Sequence, residues 1–191
     1  MVEQRRTTIR LYVLCLAVAG LFLCGLLSQT TGAEYVVGGG KACTIDVLFS
    51  PDGGCEDRII EEIDGARKTI RVQMYFFTSK PIADALIEAH KRGVKVEVIL
   101  DKSQEKMTYG RFRVLRRAGI SVYFDGEHST ANNKIMLIDR RTVITGSYNF
   151  TKAAEEKNAE NILIIKGEAE VLDRYLDNFK THRGHSSKYS N

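Results

Sequence analysis

The residues with the most chemical potential lie between positions 126 and 161. Asn132, Asn133 and Lys134 lead an apolar run, Ile135-Met136-Leu137-Ile138, which Asp139 closes. Gly146-Ser147-Tyr148-Asn149 follows, and then Lys157-Asn158-Ala159-Glu160-Asn161. On an extended strand alternate residues share a face, so Asn132 and Lys134 point the same way. An ammonium held there would grip a phosphoryl oxygen. Ser147 and Asn149 alternate in the same manner and offer a hydroxyl and an amide. Each residue also has a plainer reading. Lys134 alone is an exposed strand lysine, Ser147 and Asn149 are common turn formers, and Glu160 is a solvated loop acid. Lys152 and Lys157 suit a phosphate backbone and a solvated helix face equally well.

These residues need a scaffold, and the sequence predicts one from alternating periods. Residues 44–50 form a short apolar strand. Residues 56–66 place Ile59, Ile60 and Ile63 at helical spacing with acids opposite. Residues 69–77 are β-branched and aromatic, hence a strand. Pro81 suits the first turn of a helix whose stripe is Ile82, Ala85, Leu86 and Ala89, and Gly93 ends it. Residues 94–100 are a strand, and 108–117 a basic helix stopped by Gly119. Strands are expected at 120–124, 134–138, 143–145 and 161–165, and an amphipathic helix at 168–179. Strand–helix alternation predicts an α/β fold, an α/β/α sandwich with a mixed β-sheet flanked by helices.

Composition narrows the class. The 191 residues carry 28 Lys+Arg against 24 Asp+Glu, with 43% hydrophobic and 27% charged residues. These values exclude a disordered, collagen-like or multi-span membrane chain. A net charge of +4 excludes a histone-like polycation and permits weaker binding of phosphate ligands. The averages hide one asymmetry. Arg5, Arg6 and Arg10 precede an uncharged run from 11 to 27, and small or polar residues lead to Ala33. Residues 1–33 read as a secretory signal cut after Ala33, or as an uncleaved membrane anchor through 11–27. Either way the remainder is expected to be exported, to the periplasm, the exterior or a membrane surface. Residues 34–42 contain Gly38-Gly39-Gly40 and read as a linker, 43–183 as the domain, and 184–191 as a frayed polar tail. In an oxidising compartment Cys43 and Cys55, flanking the 44–50 strand, are candidates for a disulfide, with two free thiols as the alternative.

The run Asn132-x-Lys134-x4-Asp139, then Gly146-Ser147-x-Asn149 and Glu160, resembles the phospholipase D superfamily. Within it the chain is most similar to the small single-motif bacterial endonucleases of the Nuc type. Phe49-Ser50-Pro51, Tyr75-Phe76-Phe77 and Arg92-Gly93-Val94 extend the likeness over about residues 43–180. The resemblance implies a phosphodiesterase. It implies that Lys134, Ser147 and Asn149 meet phosphate oxygens, that Glu160 orients the histidine of the site, and that Asp139 supports it. No metal or other cofactor is implied.

One position departs from the pattern. Where the family has the histidine that attacks phosphorus and becomes phosphohistidine, this chain has Asn132. A carboxamide nitrogen is no nucleophile, because its lone pair is delocalised into the carbonyl. The chain as it stands is therefore expected to be severely impaired. His128 is a poor substitute, since it lies about 13 Å back along an extended strand and has Thr130 where a lysine is needed. It reads as a loop imidazole without special role. Asn132 marks a natural pseudoenzyme or a single change in an otherwise intact site, and the intact Lys134, Ser147, Asn149 and Glu160 favour the latter.

The family site uses two motifs, one histidine attacking and the other protonating the leaving oxygen. With one motif here, the resemblance implies a homodimer with its site on the twofold axis. The substrate would be a phosphodiester in DNA, RNA or phospholipid. Arg111, Arg113, Arg116 and Arg117 suit a nucleic-acid backbone, and they suit the solvated side of an amphipathic helix as well. A non-catalytic binding dimer is the remaining reading.

Overall fold

The computed structural model describes residues 33–37 and 41–189, with side chains from 43 onward. The signal or anchor expected at 1–33 lies outside the described residues, apart from the backbone of Ala33. No helix among the described residues is long and apolar enough to cross a membrane.

The strands are β1 (Ala33–Val37), β2 (Lys41–Ser50), β3 (Thr69–Met74), β4 (Lys95–Asp101), β5 (Ser121–Asp125), β6 (Lys134–Ile138), β7 (Thr142–Gly146), β8 (Glu160–Lys166) and β9 (Ser187–Lys188). The helices are α1 (Cys55–Gly65), α2 (Lys80–Lys91), α3 (Phe112–Arg117), α4 (Lys152–Glu156) and α5 (Ala169–His185), with a 3-10 turn at Lys102–Lys106. The strands make one mixed sheet in the order β1-β2-β8-β7-β6-β3-β4-β5-β9. Only β3-β4-β5 run parallel, and α2 and α3 make the crossovers between them. The other pairings are antiparallel.

Both faces of the sheet are covered, as the sequence predicts. On one face α1 lays down Cys55, Ile59 and Ile63, and α2 lays down Ile82, Leu86 and Ala89. They pack on Ile70, Val72, Val96, Val98 and Ile144 of the strands. On the other face α5 alone buries Leu172, Leu176 and Phe179 against Ile99, Tyr123, Ile135, Leu137 and Val143. Strand residues alternate between these layers because the side-chain period of a strand is two. Helix α2 starts where Ser79 accepts the Ile82 N–H at 3.2 Å, with Pro81 in the first turn.

The structure corrects several expectations. The linker expected at 34–42 is partly strand: β1 pairs with β2 in register from Ala33↔Ile45 to Val37↔Lys41, and Gly38 to Gly40 lie outside the described residues. The tail is not frayed through residue 189. Helix α5 continues to His185, β9 pairs Ser187 with Phe124 and Lys188 with Tyr123, and the Tyr189 ring meets Phe112 and Phe124 edge-on at 5.1 and 5.6 Å. Packing by Tyr189 overrides a polar composition. The basic helix is shorter than its periodicity predicts and begins at Phe112.

The Cys43–Cys55 bridge is not formed. Both are buried free thiols. Cys43 precedes Ser50 by seven extended residues, about 23 Å of strand, and Cys55 opens α1 beyond the other end. A disulfide needs Cα atoms within about 7 Å. The strand that suggested the pair is what separates it. Burial, with the Glu155 carboxylate adding to it, pushes the Cys55 thiol up to about 11, so it is an inert core residue.

Candidate active site at one end of the sheet

The motif residues converge because five strands end together. Antiparallel pairing sets Met74 of β3 against Lys134 of β6, and Ile135 against Thr145 of β7. It sets Gly146 against Ile162, and Ser50 against Glu160 of β8. The end of β2, the end of β3, the start of β6, the end of β7 and the start of β8 therefore form one rim.

Lys134 leads the rim. Its ammonium donates to the Asn132 backbone oxygen at 3.0 Å and also to the Asn132 side-chain oxygen. It lies 5.2 Å from the centre of the Tyr75 ring. Partial burial holds its pKa below the usual lysine value, and the neighbouring Glu160 carboxylate pulls it back up. The lysine thus sits between the Asn132 amide and an acid. Glu160 accepts from Asn158 Nδ2 at 3.0 Å, and Ser50 Oγ donates to the Asn158 carbonyl at 3.3 Å.

The Gly146–Asn149 turn is held by β8. Ser147 N donates to the Asn161 carbonyl at 3.1 Å, and Ser147 Oγ accepts the Asn161 N–H at 3.1 Å. Gly146 has φ 149°, and a Cβ there would stand 2.2 Å from the Asn161 carbonyl oxygen. Only glycine permits that approach. Asn149 Oδ1 accepts the Phe76 N–H at 3.2 Å, so its amide NH₂ is the end left to meet a ligand. Beneath them, buried Tyr148 donates to Glu155 at 2.8 Å, and the same carboxylate oxygen accepts the Glu56 N–H at 2.9 Å. One acid in α4 thereby ties the turn to the start of α1. Burial and Glu155 together push the Tyr148 phenol well above its usual range.

Asp139 is not at this rim. It stands at the far end of β6, about 16 Å from Lys134 at strand rise. Its carboxylate accepts the backbone N–H groups of Arg67, Lys68 and Thr69 at 2.7, 2.7 and 2.8 Å. Burial opposes its ionisation, yet these bonds and Lys68 hold its pKa below the usual carboxylate value. An open concavity lies at that far end, lined by Asp139, Arg140, Lys166 and Glu168 among others.

The basic helix is mostly spent inside the fold. Arg111 Nε donates to the Thr78 carbonyl at 2.9 Å, Arg113 donates to the Met107 carbonyl at 2.8 Å, and Arg116 donates to the Tyr189 carbonyl at 3.3 Å. Arg113 and Arg116 also lie 4.3 and 5.5 Å from the Phe112 and Tyr189 ring centres.

His128 does not face Lys134 in this arrangement. Its Nδ1 lies 3.2 Å from Asp125, in a group with His182 and His185. His128 is a loop imidazole, and the fold engages it with Asp125 beside His182 and His185. The available signal was the pair of spacings Asp125-x2-His128 and His182-x2-His185.

A family model described as "Cardiolipin synthase, PLD-like domain" matches residues 59–183. The chain belongs to the phospholipase D superfamily. Members are phosphodiesterases. A "Phospholipase D" of Rickettsia bellii is 40% identical over 139 residues, 73% of this chain and 69% of that protein. The "Mitochondrial cardiolipin hydrolase" of Mus musculus is 31% identical over 123 residues, 64% of this chain and 55% of that protein. Among solved structures, the phospholipase D family member Nuc from Salmonella typhimurium superposes with a TM-score of 0.74 at 30% identity. That match covers 78% of this chain and 99% of Nuc. The α/β fold of this chain therefore agrees with that of Nuc.

Proposed function

We propose that this protein is a phosphodiesterase of the endonuclease type that works as a homodimer, with two copies of the rim facing each other across a twofold axis. We further propose that the chain as it stands binds a phosphodiester and turns it over poorly. The observation that carries the reading is Lys134. It is a half-buried ammonium held against Asn132, with Glu160 as its neighbouring acid and the Asn149 amide on the same rim.

In this reading Lys134 and Asn149 neutralise and orient a phosphate oxygen, and no metal takes part. Ser147 is engaged with Asn161 and acts through its position in the turn. The nucleophile belongs at position 132, where the Asn amide nitrogen has no available lone pair. Two chains supply two such positions, so the substitution removes both the attacking group and the proton donor. Exposed Phe49, at the end of β2 beside Ser50, is 63% accessible and supports an apolar contact near the axis. The apolar N-terminal segment supports export.

A second reading is a phospholipid hydrolase. The names of the Rickettsia and mouse relatives favour it. So does the internal use of Arg111, Arg113 and Arg116, which leaves less basic surface for nucleic acid.

The test is a side-by-side assay of the chain and its Asn132→His variant on plasmid DNA, phosphatidylcholine vesicles and bis-nitrophenyl phosphate, with and without EDTA. The variant should cleave plasmid at least about 10³-fold faster than the chain as it stands. Activity on vesicles alone would favour the lipid reading. Equal rates for the two proteins would refute the account of Asn132, and loss of activity in EDTA at unchanged Tm would refute the metal-free mechanism. Gel filtration should give a dimer, and a monomer would overturn the shared site.

A further inference from the structure

The geometry points to a transition-metal site of the zinc(II) class, built from Asp125, His128, His182 and His185 and separate from the phosphodiester rim. These four residues offer one ligand atom each, and the four atoms lie within 4.8 Å of one another. Three of the chain's four histidines are gathered here.

The donor set is the kind that zinc takes. Imidazole nitrogen and carboxylate oxygen both bind this ion at about 2.0–2.2 Å, so neighbouring ligands in a tetrahedron stand about 3.3 Å apart. His128 Nδ1 and His185 Nε2 each lie 3.2 Å from Asp125 Oδ2, and His182 Nδ1 lies 2.6 Å from it. The His182-x2-His185 spacing puts both rings on one face of α5, a turn apart. Asp125-x2-His128 spans the end of β5 and the loop after it.

Hydrogen bonding alone serves this arrangement badly. Three ring nitrogens and the Glu127 N–H crowd one carboxylate: His182 and His185 reach Oδ2, Glu127 N donates to Oδ1, and His128 Nδ1 lies 3.2 Å from both oxygens. The three rings also pack with centroids 4.8, 5.3 and 5.2 Å apart, which is close for cations. Neutral imidazoles around a metal remove both conflicts, since each ring then offers a lone pair. Asp125 is fully buried, His182 is 9% accessible, and His128 remains exposed enough for an ion to enter. A shell of further polar groups is in place as well. Buried Gln73, whose amide atoms have no partner, lines a small crevice with Asp125, Asn133 and His182.

The role that follows is structural. His128 lies in the loop between Asp125 and Asn132, and His182 and His185 end α5. An ion here ties the C-terminal helix to the loop that feeds the site strand. The proposal does not depend on the phosphodiesterase reading.

The test is metal binding by the full chain after chelation, with zinc(II) and cobalt(II) as probes. One equivalent of zinc should bind per chain and raise the Tm. Cobalt should give the intense visible bands of a tetrahedral site. His128→Ala and His185→Gln should each weaken zinc binding at least about 100-fold while keeping the far-UV circular dichroism of the parent in chelator. His128 is exposed, so its variant separates ligand loss from misfolding. Failure to bind zinc, or the same affinity in both variants, would overturn the site. The cluster would then be a hydrogen-bonded latch. Neither outcome bears on whether Asn132→His restores cleavage.

Discussion

The two ends of strand β6 carry two halves of the same sequence motif and do opposite things with them. At the Lys134 end the charged group meets two oxygens of Asn132 and one neighbouring acid. At the Asp139 end every lone pair of interest is taken by backbone N–H groups of residues 67–69. The charge proposed to meet substrate has few partners, and the charge that holds the frame accepts three backbone N–H groups. Spacing in sequence puts both in one motif. The strand between them, about 16 Å long, separates the residue proposed for chemistry from the one that anchors the frame.

Substitutions can break or sharpen that contrast. The largest effect is expected from Asn132→His, a gain of at least about 10³-fold in phosphodiester cleavage with little change in Tm. Next, Lys134→Met in that restored background should cost about 10²–10³-fold in kcat, again at nearly constant Tm. A loss confined to KM would show that Lys134 binds ground state and transition state alike. Asp139→Asn should do the reverse, lowering stability by about 2 kcal/mol while leaving kcat within a few-fold. Because the folded Asp139 has a depressed pKa, its contribution is complete above the unfolded value near 4 and fades as pH falls through the lower folded value. The stability difference between parent and Asp139→Asn should therefore shrink in acid below about pH 4. A difference independent of pH in urea titrations would mean that the charge is irrelevant to the anchor. The smallest effect is expected from Arg117→Ala. It lies on the exposed side of α3, and its removal should change plasmid cleavage by less than about two-fold.

Much of this was legible in the sequence, and the failures have physical causes. The layered fold follows from local periods, which is why α1, α2 and the central strands fall where the apolar spacing puts them. The rim was legible because Asn132, Lys134, Ser147, Asn149 and Glu160 lie within thirty residues and the resemblance orders them. The histidine group was not, because Asp125 and His182 are 57 positions apart and meet only when α5 crosses the sheet. The end of the chain was misjudged for a similar reason. A polar composition says nothing of one tyrosine, Tyr189, that packs edge-on into two phenylalanines. The disulfide failed because proximity in sequence was read across a strand that extends, and an extended strand is the least compact way to join two residues.

The internal use of the arginines has a consequence for binding in salt. A nucleic-acid ligand releases counterions only where phosphates are neutralised, at about 0.9 per contact on duplex DNA. Arg111, Arg113 and Arg116 are turned to backbone carbonyls, so the proposed dimer is counted with one phosphate contact, Lys134, from each protomer. A dimer should therefore show a shallow plot of log affinity against log salt, with a slope of about −2. At that slope a rise from 50 to 200 mM salt lowers affinity by about 16-fold, against the roughly 10³–10⁵-fold lost by a protein that makes six to ten phosphate contacts.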